Sequence, residues 1–303
     1  GLFGYVAILD AGLVAVAMKR RWYFLVVFGV VGTLLTLIGW THEFFTVGKV
    51  WIAFAILTAF NLLFLGAFVW GEKAAHRNPW LTGSALALPC ATFAYAFWLL
   101  FFRELAARPG VVFSFLLIAD LPVLAMVLLN GRLGLTHLAA GAAAFLVLTA
   151  WTTGYLTHEL LGWALGGYLL FAIVHAAFPV VLERVRPGAA PAWWGHLFPP
   201  AALILVLWPL LRSLEAGWLL WGTVLLVDAA AILLALVTGA VLGVVAVLVL
   251  TLLVAGVWIV QAPAELTSLP PMLLVVGGFA LFFFLAGRQP IKKLGFNFLT
   301  LLI

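Results

Sequence analysis

The chain has 303 residues, of which 67% are hydrophobic and 8% charged. So little charge excludes a soluble domain of this size, whose surface would precipitate, and points to a membrane protein. The net charge of +5 lies in short connections between apolar runs and forms no basic stripe with interleaved aromatics, which excludes nucleic acid as a partner.

Runs of about 17–25 apolar residues mark membrane spans. They fall near 2–18, 22–40, 47–70, 80–101, 111–129, 133–152, 160–182, 196–211, 217–237, 239–260 and 269–286. The predicted fold is therefore all-α: a polytopic transmembrane helix bundle of about eleven spans, with the lipid bilayer as its first partner.

In chain order, the first run carries Asp10 and is followed by Lys19-Arg20-Arg21. A signal peptide has its basic residues in front, so this is a span. The second run ends at Trp40, before Thr41-His42-Glu43. The third holds Asn61, and the fourth Pro89, Cys90 and Trp98. Cys90 is the only cysteine, which excludes an intrachain disulfide or a cysteine zinc cluster. The fifth run carries Asp120. The sixth has His137 near its start, read as interfacial, and ends at Trp151, before Thr157-His158-Glu159. The seventh holds His175. The eighth begins at His196, which like His76 lies near a helix end, and contains Pro199 and Trp208. The ninth carries Asp228, the tenth ends near Trp258, and Glu265 precedes the last. The chain opens inside one apolar run without Met and stops inside another, at Phe296-Asn297-Phe298, so it reads as part of a longer parent chain.

The three aspartates lie 110 and 108 residues apart in similar strings. The tryptophans at 40, 151 and 258 and the acidic residues at 43, 159 and 265 recur with them. Phe54, Asn61 and Phe64 match Tyr168, His175 and Phe178 at a shift of 114. Pro89 and Trp98 match Pro199 and Trp208 at 110, and Arg103 and Glu104 have near-counterparts in Arg212 and Glu215. The expectation is a parallel repeat of four-helix units: 1–108, 109–216 and a partial third, 217–303. Four spans per unit is an even number, so successive units enter the membrane the same way, unlike the inverted repeats of many carriers. The third unit is the degenerate one, with no Thr-His-Glu and no Asn or His in its last run.

Lys and Arg set orientation. Eleven follow odd-numbered spans: Lys19, Arg20, Arg21, Lys73, Arg77, Arg132, Arg184, Arg186, Arg288, Lys292 and Lys293. Four lie on the other side: Lys49, Arg103, Arg108 and Arg212. The first set is placed in the cytoplasm.

A carboxylate at the centre of a membrane helix costs roughly 2.5–3.5 kcal/mol on insertion scales. Asp10, Asp120 and Asp228 therefore need partners. One reading is a proton or cation relay, or a ligand for a headgroup. The other is a helix-packing bond. The residues three and four away from Asp10 are apolar, so its partner lies on another helix. Asn61 and His175 are further intramembrane polar candidates, each able to pair across helices. His42, Glu43, His158 and Glu159 are outer-face candidates for metal or pH chemistry; the alternative is a helix cap, with Glu complementing the dipole of the following helix. No His-Glu-x-x-His string, phosphate loop, dinucleotide turn or nucleophile elbow occurs, so no catalytic residue, metal or cofactor is assigned.

Gly4-Tyr5 before the Asp10 segment, the basic cluster followed by Trp22, and the Gly32-Thr33-Leu34-Leu35 run ending at Gly39-Trp40 resemble a family of bacterial multi-spanning proteins. That family is catalogued as a domain of unknown function, number twenty-three thirty-nine. The resemblance covers residues 1–45. It implies a long chain of many helices in the bacterial cytoplasmic (inner) membrane and supplies no activity.

Three functional readings stay open. The leading one is a non-enzymatic repeat scaffold or translocation-linked protein of the envelope that handles an amphiphilic or envelope substrate. The second is a proton-coupled secondary transporter using Asp10, Asp120 and Asp228. The third is a membrane enzyme acting on lipid-linked substrates through Glu43 and Glu159.

Overall fold

A computed structural model describes residues 1–74, 78–189, 191–212, 217–261 and 269–287. His76, Arg77, Glu215, Glu265, Arg288, Lys292, Lys293 and the Phe296 string lie outside the described residues. Among the described residues there are helices and no strands. The long helices are α1 (Leu2–Arg20), α2 (Phe24–Phe44), α3 (Val50–Lys73), α4 (Pro79–Leu99), α6 (Pro109–Leu129) and α7 (Gly134–Tyr155), then α8 (Leu161–Val185), α9 (Phe198–Leu211), α10 (Trp218–Thr238), α11 (Leu242–Gln261) and α12 (Leu269–Gly287); α5 (Arg103–Ala106) is a single turn. Among the described residues, eleven segments are long and apolar enough to cross a membrane, by length and composition. The protein is an all-α helical bundle with the character of a multi-pass membrane protein.

Helix ends follow local chemistry. Pro79 and Pro109 begin α4 and α6, where a missing N–H costs nothing. The Asn78 side chain accepts the Trp80 N–H at 2.9 Å and caps α4. Helix α1 ends with Arg21 in the left-handed region (φ 62°), and Trp22 N–H closes back on the Ala17 carbonyl at 3.1 Å. Gly239 does the same job for α10 (φ 75°), its N–H reaching the Ala235 carbonyl at 2.7 Å.

One expected boundary is corrected. Thr41-His42-Glu43 does not open the third helix; it forms the last turn of α2, which runs to Phe44. Nothing between Trp40 and Phe44 breaks a helix, and the chain becomes extended only at Phe45 and Thr46, before a short 3₁₀ turn at Val47–Lys49. Glu43 thus sits at the negative end of its helix dipole, and the Lys49 ammonium offsets it by donating to the Phe44 carbonyl at 2.7 Å. The second string, around His158 and Glu159, forms an exposed turn between α7 and α8.

The chain divides into two compact units at Ala150/Trp151, inside α7. This partition cuts through the expected second repeat, because compactness follows packing and not sequence recurrence. In the first unit α6 packs on α3 and α4, α1 on α2 and α3, and α2 on α4. Phe60, Phe64, Leu88, Phe115 and Leu116 are fully buried there. In the second unit α10 packs on α8 and α9, α11 on α9 and α10, and α12 on α10 and α11. In both units an aspartate helix (α6 or α10) is thus seated on the two long helices that precede its unit in the expected repeat.

Candidate functional site: aspartate clasps and an aromatic groove

All three aspartates are buried, with exposures of 2% for Asp10 and 0% for Asp120 and Asp228. Two of them have a threonine on the next helix as donor. Thr33 of α2 donates its hydroxyl to Asp10 Oδ2. Thr251 of α11 donates to both carboxyl oxygens of Asp228, at 2.9 and 2.8 Å. Each threonine follows its aspartate by 23 residues and opens a Thr-Leu-Leu string. That recurrence was a usable signal, and reading the aspartates alone overlooked it.

The correspondence extends along both hairpins at a constant shift of 218 residues. Seven residues before the aspartate, Phe3 packs edge-on against Trp40 at 5.7 Å between ring centroids; Trp221 packs edge-on against Trp258 at 4.9 Å. The third helix supplies another ring in each case, one residue off that shift: Phe60 against Phe3 at 6.3 Å and Phe279 against Trp221 at 5.9 Å. The left-handed residues Arg21 and Gly239 are related by the same shift. Each hairpin is therefore held by an aromatic contact near one end, an Asp–Thr hydrogen bond in the middle and a left-handed turn at the other end. Gly29 differs: a Cβ there would lie 2.9 Å from Asp10 Oδ1, whereas Val247 occupies the shifted position.

Asp120 departs from this pattern. The residue 23 positions after it is Ala143, and α6 ends in extended backbone at Asn130 (φ −134°). The Asn130 side chain donates to Glu72 Oε1 at 3.0 Å and ties the end of α6 to the end of α3. In its aspartate hairpin the middle expected unit is thus the divergent one.

The other polar candidates have specific places. Asn61 meets no aspartate; its Nδ2 donates to Thr92 Oγ1 of α4 and to the Leu57 carbonyl, both at 2.9 Å. His175 is fully buried and tilts at 32° against Phe198, with ring centroids 4.8 Å apart. His137, expected at the interface, is buried at 1% exposure. His196, expected to carry little, is a packing centre: Nε2 lies 2.8 Å from Thr238 Oγ1, and the Gly243 backbone presses on its ring where any Cβ would collide. His42 Nδ1 and Glu43 Oε1 pair at 2.8 Å, but both side chains are mostly exposed, so the pair adds little stability. His158 and Glu159 are exposed. Among the described residues no three His, Cys, Asp or Glu side chains converge as a metal site.

A groove of about 640 Å³ opens between α2 and α4, within the usual range for ligand sites of about 300–1,000 Å³. Leu34, Leu37 and Ile38 form one wall, and Ala91 and Ala94 the other. One end is lined by Thr41, His42, Phe45, Tyr95, Trp98 and Phe102. Phe45 packs edge-on against Trp98 at 5.0 Å and Phe102 at 5.4 Å. Asp10 does not line this groove.

No family model matches the chain, and no curated protein or solved structure is similar enough to it to count as a relative.

Proposed function

We propose that this chain is a non-enzymatic scaffold of the bacterial cytoplasmic membrane, built by repeating a helical unit, and that two of its intramembrane aspartates, Asp10 and Asp228, fasten helices together. One observation carries the reading: an Asp–Thr bond recurs 218 residues apart between adjacent helices with the same flanking aromatic contact. A relay carboxyl must exchange its proton with a path. A carboxyl whose oxygens receive a neighbouring helix's hydroxyl amid apolar side chains is suited to holding that helix. Repetition suits architecture as well, since each copy must solve the same packing problem. The bacterial assignment follows from the resemblance of residues 1–45 to the multi-spanning family described above.

The deciding experiment uses protein reconstituted in vesicles with a trapped pH-sensitive dye. Asp10→Asn and Asp228→Asn should leave unfolding midpoints near those of the parent, because an amide oxygen still accepts the threonine proton. Proton flux should be the same for parent and variants. A parental flux that both variants abolish while remaining folded would replace the scaffold with a proton-coupled carrier.

A further inference from the structure

We propose that the groove between α2 and α4 binds one acyl chain of an ester-linked membrane lipid, with the ester carbonyl received by the Tyr95 and Thr41 hydroxyls. The site does not depend on the aspartate clasps and serves a scaffold or a carrier alike.

Four observations point to it. First, the hollow is made by small residues, Ala91 and Ala94, facing Leu34, Leu37 and Ile38. From Leu34 to Thr41 it runs about 10 Å along the helix, at 1.5 Å per residue. Second, exposed apolar side chains flank its lining residues along the chain: Leu35 and Ile38 on α2, Phe97 on α4 and Phe101 just beyond it. A groove opening onto such a surface is filled from the bilayer.

Third, its polar end holds unmet hydrogen-bonding capacity. Tyr95 is 7% exposed, and its hydroxyl lies beside that of Thr41. Among the described residues neither hydroxyl has a partner at ordinary hydrogen-bond length and angle. Several helical threonines return their proton to their own backbone: Thr36 to Gly32 at 2.8 Å, Thr58 to Phe54 at 2.7 Å, Thr92 to Leu88 at 2.8 Å. Thr41 does not. The threonine that follows the corresponding tryptophan in the second unit, Thr152, closes its bond with the Tyr168 hydroxyl at 2.6 Å. Even a closed pair of hydroxyls leaves one proton to donate. An ester carbonyl is an acceptor only, and it matches that donor.

Fourth, the level is right. Thr41 lies three residues before the end of α2 at Phe44, and Tyr95 four before the end of α4 at Leu99. Both hydroxyls therefore sit about one turn, roughly 5 Å, inside the helix ends. Lipid esters lie at that boundary between the hydrocarbon core and the headgroups. His42, held at Nδ1 by Glu43, stands one residue further out, at headgroup level.

The full chain, reconstituted in phosphatidylglycerol vesicles doped with phosphatidylglycerol bearing a diazirine in one acyl chain, is photolysed and digested. Adducts should concentrate on peptides spanning 34–45 and 91–102, several-fold above those on the lipid-exposed helix α12. Unlabelled diester lipid should suppress them about three- to tenfold more effectively than its diether analogue, the factor expected for one hydrogen bond within a membrane. Tyr95→Phe and Thr41→Val, which keep shape and remove the hydroxyls, should erase that preference. Ala94→Trp should remove the adducts in protein that stays helical and monodisperse. Adducts no denser than on α12 would overturn the site, whether bulk lipid or another protein segment covers it. Equal suppression by diester and diether lipid in the parent would overturn the role of the hydroxyls.

Discussion

Thr251 donates one proton to both oxygens of Asp228, at 2.9 and 2.8 Å, from the facing helix of the same hairpin. The pair is fully enclosed: Asp228 is 0% exposed and Thr251 2%. A polar group in that position is costly only when its partner is missing. Removing one side strands the other, while removing both leaves apolar packing. Thr251→Val is therefore expected to cost about 1–2 kcal/mol. The double variant Asp228→Leu/Thr251→Val should lie closer to the parent than either single variant. Reversible unfolding in mixed micelles measures the cycle; additive losses would reject the clasp.

The left-handed turns predict a stability pair of opposite sign. Arg21 holds φ 62° and Gly239 φ 75°. A side chain in this region carries a penalty of roughly 1 kcal/mol that glycine avoids. Arg21→Gly should stabilise the first hairpin and Gly239→Ala should weaken the second, each by about 1 kcal/mol. Calorimetric or denaturant midpoints read both; shifts of the same sign would contradict the turn assignment.

Two glycines in the second unit are required by close approach. A Cβ at Gly195 would run into the Ala176 carbonyl, and one at Gly243 into the His196 ring. Gly195→Ala and Gly243→Ala should each cost about 1–3 kcal/mol, the usual range for overpacking. Gly222→Ala meets open space and should fall within about 0.5 kcal/mol of the parent. Comparable losses in all three would show that close contact does not set the effect, since helix propensity by itself favours Ala over Gly.

The charge bias predicts sidedness. Single cysteines at Arg132 and Arg186, in a Cys90→Ala background, should resist impermeant thiol reagents in intact bacterial spheroplasts. Cysteines at Lys49 and Arg103 should label. The reverse pattern would invert the orientation assigned from eleven basic residues against four.

Much of this architecture was legible in residue order. Long apolar runs specify membrane-length helices because a backbone in lipid must satisfy its own hydrogen bonds, whatever its neighbours are. That local rule placed all eleven candidate spans within a few residues. It also required Asp10, Asp120 and Asp228 to be shielded, since the cost of a bare carboxyl does not depend on which helix shields it. The identity of the shield was a different matter. Thr33 and Thr251 stood at a common spacing in the sequence, but only the approach of α2 to α1 and of α11 to α10 makes them donors. Asn61 turned to Thr92 and not to an aspartate, because α3 packs on α4. His196 became a packing centre because Gly243 lets α11 close on its ring. The α2/α4 groove belongs to neither helix alone: Ala91 and Ala94 leave a hollow only where Leu34 and Ile38 stand opposite. Local chemistry determines which segments enter the membrane and what they cannot leave unpaired. Pairing between helices is long-range, and the tertiary structure decides it.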